Sequence, residues 1–416
     1  MQTENGFYGW RPLSGAILTF LVGSGIFFYS YGVFLPFMST EFGWGRAATG
    51  GALSVTLLVF GLPSPLIGAS ISRFGPRLNI ILGNSLVGLG LVSMSFATEV
   101  WQLYVFFGIL VGVGTGFGMY MPCTTVVNNW FVKRQSLAMA LLLSAGGMGG
   151  FAFPPLVTWL LSGVGWQGTW LTLAAVHFTF TVIVGGLILV RNRPEDTHQD
   201  PHGIRSAENV EPEDSEERAS STHNDAADWQ MRDMMRSPVV WLIAAIYMTS
   251  FFAISTLVAH QVAYLRDLGH SPMAAAFTLS IMTGSILLGR LAFGALGRRY
   301  DMRRLVVAFY CIQLTALSIL LTAPSLSLIY AYAVLFGLSY GGLGLAAPTL
   351  IGAYFGGERF VRVLSIVFPL GIAVEALGPI VAGAIHDLTD TYVAAFAVVA
   401  IFCAAGLAYS IAVRNR

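Results

Sequence analysis

Long apolar runs alternate with short polar segments along the whole chain. Twelve of these runs have the roughly 20 residues that an α-helix needs to cross the hydrocarbon core of a bilayer. A transmembrane β-barrel would instead show short segments of alternating polarity. The pattern predicts an all-α membrane protein with twelve transmembrane helices, numbered here as spans one to twelve: 13–38, 47–70, 78–98, 102–127, 136–161, 169–191, 238–263, 272–296, 304–323, 326–350, 363–385 and 391–413.

Composition supports the same class of protein. Hydrophobic residues occupy 55% of the 416 positions and charged residues only 10%, whereas a soluble domain carries about 25% charged residues. The net charge of +1 indicates no nucleic-acid partner. Cys123, Cys311 and Cys403 lie in apolar spans without ligand spacing, so neither a disulfide nor a metal site is expected. The sequence contains no nucleophile–base pair and no phosphate loop, and we expect no enzyme activity and no cofactor.

One segment breaks the apolar pattern. Residues Asn192–Asp233 hold twelve acidic and four basic side chains and almost no large apolar group. Such a composition cannot bury a core and predicts a disordered tether; a regulatory or partner-binding role is the alternative. The segment divides the chain into an N-terminal six-helix bundle (1–191), an acidic loop (192–236) and a C-terminal six-helix bundle (237–416).

The two predicted bundles contain a repeated motif. Gly68–Arg77 follows span two and Gly294–Arg303 follows span eight. Both stretches have a glycine, a residue–arginine pair four positions later, and a second arginine four positions after the first. A duplication of six helices predicts two pseudo-symmetric bundles that rock about a binding site near the middle of the membrane.

Basic residues indicate the orientation in the membrane. With the N-terminus inside, the short loops and tails of that side hold thirteen basic residues, and the other side holds only Arg46 and Arg266. Both termini and the acidic loop are therefore predicted to be cytoplasmic. Short tails and one modest loop are typical of a bacterial inner-membrane protein, which is the predicted location.

The functional interpretation depends on Arg290. This residue lies in the apolar stretch Ser280–Phe293 of span eight, where an arginine costs about 3 kcal/mol on membrane-insertion scales. A charge kept in such a place is typical of a polar cavity that holds an anion; the alternative is a side chain that extends to the membrane interface. Because a guanidinium group matches a carboxylate with two parallel hydrogen bonds, we predict a carboxylate ligand.

Tyrosines complete the predicted binding site. Counted from the outer helix ends, Tyr120 of span four, Arg290 and Tyr340 of span ten lie at a similar depth in the inner half of the membrane. Two phenol hydroxyls can fix a 2-hydroxy or 2-oxo group, and apolar walls favour a small substrate. Tyr29, in the aromatic-rich centre of span one, is a further candidate. Packing is the alternative role for these tyrosines.

Two other side chains are candidates for proton coupling. Glu375 is the only carboxylate inside a predicted span, and apolar surroundings favour the protonated form of such a group. A static hydrogen-bonding role is the alternative. Its depth differs from that of Arg290 by roughly 10 Å of helical rise, so an ion pair between them is not assured. His260, near the outer end of span seven, is a candidate proton relay at the mouth of the cavity.

These motifs resemble the major facilitator superfamily and, within it, the monocarboxylate porter family. Trp130–Ala138 is similar to that family's aromatic-Phe-x-Lys-Arg-x-x-Leu-Ala motif, Gly165–Trp170 to its Gly-Trp-Arg-Gly turn, and Glu4–Trp10 to its acidic-glycine-aromatic entry to span one. The repeated glycine–arginine stretches are similar to the superfamily signature. They depart from it at Ser72 and Arg298, where the superfamily has an acidic residue.

The resemblance implies the major facilitator fold and a transporter of small monocarboxylates, such as lactate or pyruvate, commonly by proton symport. The family's substrate-binding arginine corresponds to Arg290, and the aromatic residue of its span ten corresponds to Tyr340. Animal members carry an aspartate four residues before the arginine, where this chain has Ile286, and a lysine late in span one, where it has Phe27–Tyr31. The resemblance therefore leaves the proton-carrying residue open.

Two other functions stay open. One is an organic-anion exchanger of the oxalate–formate type, although such exchangers tend to use two cationic residues and this chain has Glu375. The other is a non-transporting membrane sensor of carboxylates that signals through the acidic loop. The expected partners are a small monocarboxylate anion, a proton and the lipid bilayer, and we expect the protein to act as a monomer.

Overall fold

A computed structural model of the chain describes residues 8–131, 134–194, 237–297, 299–322, 325–355 and 357–412. The regular elements of these residues are helices. Most of the predicted acidic loop, residues 195–236, lies outside the described part of the chain. Below, the N-terminal half means residues 8–194 and the C-terminal half means residues 237–412.

The helices of the N-terminal half include three π-helical segments, each of which continues an α-helix. In chain order the elements are α1 (Trp10–Ser24), the first π-helix (Gly25–Tyr29), α2 (Tyr31–Phe42), α3 (Arg46–Gly61), α4 (Ser64–Met94), α5 (Val100–Leu103), the second π-helix (Tyr104–Val111), α6 (Gly112–Gly118), α7 (Tyr120–Trp130), α8 (Gln135–His177) and the third π-helix (Phe178–Leu189).

The C-terminal half has longer uninterrupted helices. They are α9 (Pro238–Asp267), α10 (Pro272–Leu296), α11 (Met302–Thr322), α12 (Leu326–Phe355), α13 (Gly357–Thr389) and α14 (Val393–Ala412). Helix α10 begins as its sequence predicts. The Ser271 hydroxyl accepts a hydrogen bond from the Ala274 N–H at 3.3 Å, and Pro272 takes the first position of the helix, where no N–H partner is needed.

Ten helical stretches in the described residues are long and apolar enough to cross a bilayer, and α3 is a shorter apolar helix. The predicted twelve spans therefore do not appear as twelve separate helices. Predicted spans five and six follow each other directly within the helical stretch Leu137–Leu189, as two helices that meet at a kink. Gly165 interrupts it with φ 71° and ψ −179°. A glycine adopts this conformation without the strain that a side chain would add, so the two helices meet there without a loop.

The stretch predicted as a loop after span two is also mostly helical. Helix α4 runs through it, and only Gly75 has a non-helical backbone, with φ 78° and ψ 164°. The next residue, Pro76, cannot donate a backbone hydrogen bond to the preceding turn. One Gly-Pro step therefore separates the end of predicted span two from the start of span three.

The second arginines of the two repeated stretches make equivalent contacts. Nε and Nη2 of Arg77 donate hydrogen bonds to the carbonyl groups of Gly186 and the following residue, at 3.1 and 2.8 Å. Nε of Arg303 donates to the Ser410 carbonyl at 2.8 Å, and its Nη2 donates to the carbonyl of the following residue. The last carbonyl groups of a helix have no partner within the helix. In each half, this arginine therefore binds the end of the half's last helix.

The two halves are joined at the end of the bundle opposite the chain termini, called the distal end here. The Asp387 carboxylate accepts hydrogen bonds from the backbone N–H groups of Arg46 and Ala47, both at 2.9 Å. The Arg46 guanidinium lies 3.5 Å from Asp267. His386 lies 3.8 Å from Asp267 and 3.6 Å from Asp387. These contacts hold the start of α3 against the ends of α9 and α13.

Candidate functional site

A close crossing of α10 and α12 brings Arg290 and Tyr340 together. Each residue is next to a glycine, Gly289 in α10 and Gly341 in α12. A methyl group added to either glycine would clash with a backbone carbonyl of the other helix. Small residues permit such close helix packing. The Arg290 and Tyr340 side chains consequently lie within range of an electrostatic interaction.

The Arg290 guanidinium has no ionic partner in the described residues. It is half-buried within a membrane-spanning helix, and no described residue forms an ion pair or hydrogen bond with it. Ile286, one turn earlier, is 3% exposed and supplies no carboxylate. A guanidinium group has five N–H donors and no acceptor. Its surroundings can therefore take up an anion from outside the protein.

Span four is broken just before Tyr120. Met119 has φ −118° and ψ −83°, which ends α6 and starts α7 at Tyr120. The tyrosine is 41% exposed, although it lies in the middle of a membrane-spanning stretch. It is within electrostatic range of Arg290. Tyr120 thus starts a new helix and lies exposed within electrostatic range of Arg290 in the other half.

Tyr29 lies at the end of the first π-helix, between the two halves. A side chain added at Gly150 of α8 would meet Tyr29 and Thr283 of α10 at 2.8 Å each. Tyr29 is half-buried and lies within electrostatic range of both Arg290 and Glu375. Single π-helical turns frequently occur at functional sites. The structure thus brings all three predicted tyrosines close to Arg290.

Glu375 lies on α13, where that helix packs against α9. The Ser255 hydroxyl donates a hydrogen bond to the Glu375 backbone carbonyl at 2.7 Å. The carboxyl group is within electrostatic range of Tyr29 and Tyr340. It forms no ion pair with Arg290, and no described residue donates a hydrogen bond to it. Glu375 and Arg290 therefore lie within electrostatic range of the same two tyrosines without forming an ion pair with each other.

His260 lies near the distal end of α9 and is not part of this cluster. It is fully buried at the distal end, where Nε2 lies 2.7 Å from the Pro379 carbonyl and Nδ1 lies 3.1 Å from the Tyr392 hydroxyl. Because a carbonyl only accepts, Nε2 carries the proton, and in the neutral ring Nδ1 accepts from Tyr392. In this conformation, the packed distal end separates His260 from solvent.

Tyr247 of α9 was not predicted and lies beside the site. It is within electrostatic range of Tyr120 and Tyr340, and its ring packs edge-on against Phe251 with centroids 5.1 Å apart. Only 8% of the residue is exposed. Tyr247 could have been predicted from the sequence, because it is a tyrosine inside an apolar span, as Tyr120 and Tyr340 are.

Comparison with known proteins agrees with this architecture. Residues 16–321, more than half of the chain, match the family model of the Major Facilitator Superfamily. The chain belongs to this superfamily. It is therefore an integral membrane transporter rather than an enzyme, and the predicted membrane class and transport function are confirmed at that level.

The related sequences include animal and bacterial proteins. The chain is 28% identical to "Monocarboxylate transporter 13" of Rattus norvegicus over 411 residues, which cover 97% of this chain and 89% of the relative. It is 26% identical to "Monocarboxylate transporter 4" of Gallus gallus over 408 residues, covering 96% and 81%. It is 23% identical to "Uncharacterized MFS-type transporter YhjX" of Escherichia coli (strain K12), covering 88% and 86%.

A solved structure shares the fold. The inward-facing, unoccupied crystal structure of a bacterial homologue of the human lysosomal transporter Spinster superposes with a TM-score of 0.73. The sequence identity is 15%, and the match covers 99% of this chain and 97% of the other. The superfamily match and this superposition confirm the predicted major facilitator fold.

Proposed function

We propose that the protein carries small monocarboxylates of the lactate and pyruvate type across the membrane, together with a proton, by alternating access. The observation that carries this proposal is the half-buried Arg290 guanidinium, which has no partner among the described residues. A substrate carboxylate supplies the missing negative charge with two parallel hydrogen bonds. The relatives named monocarboxylate transporters support the same substrate class.

In this proposal the tyrosines recognise the rest of the substrate. Tyr120, Tyr340 and Tyr29 are within electrostatic range of Arg290, so a carboxylate bound there is near three phenol groups. A phenol hydroxyl both donates and accepts hydrogen bonds. It can therefore contact the 2-hydroxy or 2-oxo group next to the carboxylate. Few polar contacts in an apolar cavity favour small substrates.

Glu375 is the proposed proton carrier. It lies within electrostatic range of Tyr29 and Tyr340, and no described residue donates a hydrogen bond to its carboxyl group. Ionised carboxylates are unfavourable in such a place, so proton uptake and release can follow substrate binding. His260 is proposed as a relay only in a state where the distal end is open, because it is fully buried here.

The proposed mechanism uses two six-helix bundles, 1–191 and 237–416, joined by the acidic loop 192–236. Twelve spans result when the helix interrupted at Gly165 is counted as two. The equivalent contacts of Arg77 and Arg303 support the pseudo-symmetry. Rocking of one bundle against the other breaks the contacts at the distal end and opens the cavity to that side.

The proposed orientation places both termini in the cytoplasm and the distal end outside, since thirteen basic residues lie on the side of the termini. We also propose that the protein resides in a bacterial inner membrane and that it acts as a monomer. The chain's identity to the Escherichia coli transporter supports a bacterial setting, and its identity to the animal relatives supports the broader family only.

Uptake of labelled lactate into proteoliposomes under an imposed pH gradient tests this function. Vesicles with an alkaline interior should accumulate lactate, and a protonophore should abolish the accumulation. If lactate enters only in exchange for preloaded oxalate, whatever the gradient, the protein is an anion exchanger and symport is contradicted. If neither anion moves through correctly inserted protein, transport of monocarboxylates is contradicted.

A further inference from the structure

A cavity separate from the candidate substrate site lies between the two halves at the distal end. Its volume is about 390 Å³, within the usual range for small-molecule sites. Helices α2 and α8 of the N-terminal half line it, together with α9 and the start of α10 of the C-terminal half. On α10, 17 residues separate the lining residue Met273 from Arg290, which is roughly 25 Å of helical rise. We call it the distal cavity.

Close helix crossings join the two halves below the distal cavity. A methyl group added to Gly32 of α2 would clash with the Val258 carbonyl of α9. A methyl group added to Gly150 of α8 would meet Thr283 of α10 at 2.8 Å. Along α8, α9 and α10, these contacts lie further from the distal end than the residues that line the cavity. The halves are therefore in contact between the distal cavity and the candidate substrate site.

The charged and the apolar lining residues of the distal cavity lie at different depths. Arg266 is the last residue but one of α9 and lies at the distal end. Val262 precedes it by one helical turn, about 6 Å deeper, and is buried, as is Val33 of α2 on the opposite wall. The cavity is therefore charged at its distal end and apolar towards the interior of the membrane.

The Arg266 side chain is available to bind an anion. It is half-buried, and no described residue forms an ion pair or a hydrogen bond with its guanidinium group. The neighbouring Asp267 carboxylate is engaged with Arg46 of α3, at 3.5 Å. The hydroxyl groups of Thr158 and Ser162, which also line the cavity, donate hydrogen bonds to carbonyl groups of their own helix at 2.9 and 2.7 Å. Arg266 is thus the lining side chain that lacks a polar partner.

We propose that the distal cavity binds a medium-chain fatty acid, such as decanoate. The carboxylate pairs with Arg266 through two parallel hydrogen bonds, and the alkyl chain lies against Val262, Val33 and Leu161. A fatty acid in a bilayer has the same arrangement, with its charge at the interface and its chain in the hydrocarbon core. Charge complementarity and the apolar floor of the cavity together select this class of ligand.

The bound fatty acid acts on transport through the conformation of the distal end. It contacts helices of both halves, and rocking that opens the distal end moves α2 and α8 away from α9 and α10. A ligand that binds one conformation better than another shifts the population towards it. The fatty acid therefore holds the distal end closed and inhibits transport from a site other than Arg290. Its binding does not depend on which substrate the protein carries, so this inference and the proposed function fail separately.

Binding of labelled decanoate to the protein in phosphatidylcholine nanodiscs tests the site. Affinity should rise from butyrate to decanoate, by up to about fourfold for each added methylene group. Arg266→Gln should weaken decanoate binding at least about tenfold, the loss expected for a charge-assisted contact. Arg304→Gln makes the same change in an exposed arginine of α11 and should bind decanoate like the wild type. Arg290→Ala should also retain this binding.

Two further measurements test the cavity and its effect. Met273→Trp fills the cavity and keeps the Arg266 charge, so it should also weaken decanoate binding. Decanoate should slow hydrogen exchange of the Arg46 and Ala47 amides, which are hydrogen-bonded across the closed distal end. Exchange rates that do not change when decanoate is bound would overturn the proposed effect on conformation.

The alternative occupants give different results. Decanoate binding that is lost in Arg290→Ala and kept in Arg266→Gln overturns the distal site, because the fatty acid then binds where the substrate does. Loss of decanoate binding when phosphatidylglycerol replaces phosphatidylcholine shows that a phospholipid occupies the cavity and overturns the fatty acid as its ligand. Binding that is weakened by Arg266→Gln and Met273→Trp alone supports the proposal.

Discussion

Asp387 of α13 caps the first turn of α3 across the boundary between the two halves, accepting the Arg46 backbone N–H at 2.9 Å. The next N–H, that of Ala47, is bound to the same carboxylate at 2.9 Å. The first N–H groups of a helix lack partners within it, and the helix dipole favours a negative charge there. A single carboxylate of the C-terminal half thus accepts hydrogen bonds from the first N–H groups of a helix in the N-terminal half.

Asp387→Asn should loosen the distal end. The amide has one acceptor oxygen and no charge, so we expect a loss of about 1 kcal/mol, within the range for capping residues. Hydrogen exchange of the Arg46 and Ala47 amides should become faster than in the wild type. Asp390→Asn makes the same change in an exposed residue three positions on and should have no effect. Equal exchange rates in the two variants would contradict a closing role for Asp387.

Gly341→Ala should disrupt the proposed binding site by displacing the backbone. The added methyl group meets the Ile286 carbonyl, so α10 and α12 must move apart. We expect a destabilisation of about 1–3 kcal/mol, as for other overpacked cores, and weaker lactate binding because Arg290 and Tyr340 separate. Thermal unfolding and ligand binding measure the two effects. Gly344→Ala in the same helix has open space around the added methyl group and is the matched control.

Ile286→Asp should make lactate binding depend on pH. It places a carboxylate four residues before Arg290, within reach of the guanidinium on the same helix face. The carboxylate is ionised at high pH and competes with the substrate; protonation at low pH releases Arg290. Lactate affinity should therefore fall as pH rises, more steeply than in the wild type. Ile286→Asn has a similar shape without the charge. A pH dependence identical in the two variants would contradict direct competition at Arg290.

Arg77→Ala and Arg303→Ala should destabilise the protein by similar amounts. Each removes two hydrogen bonds from a guanidinium to the last carbonyls of a helix. Hydrogen bonds to charged groups contribute about 1.5–3 kcal/mol, reduced here by partial exposure to solvent. Thermal unfolding of the two variants, with Arg304→Ala as the control, measures the effect. A large loss in only one variant would contradict the structural equivalence of the repeats.

Much of the candidate site could be predicted by counting residues, because the depth of a residue in the membrane increases evenly along a straight helix. Arg290 and Tyr340 lie on two uninterrupted helices, where each residue adds a fixed rise, and counting residues from the helix ends places them at one level. Tyr120 reaches that level although its span is broken at Met119. The break itself was not predicted, because nothing in the apolar pattern distinguishes a kinked span from a straight one.

The distal contacts could not be predicted. Asp387 and Arg46 are 341 positions apart, and they meet only because the two halves fold against each other. The contacts of His260 with the Pro379 carbonyl and the Tyr392 hydroxyl join α9 to residues more than 100 positions away, so they could not be predicted either. The Gly-Trp turn predicted between spans five and six coincides with the kink at Gly165, where two helices meet.

Binding of lactate to the purified protein tests the central assignment most directly. Isothermal titration calorimetry should show that Arg290→Ala binds at least about 100-fold more weakly than the wild type, as expected when one partner of a buried charge pair is removed. Arg290→Lys keeps the charge but cannot form two parallel hydrogen bonds with a carboxylate, so this variant should bind lactate with intermediate affinity. Arg266→Ala removes another half-buried arginine, at the distal end, and should bind like the wild type. Wild-type affinity in folded Arg290→Ala protein would contradict the assignment of Arg290 as the carboxylate-binding residue.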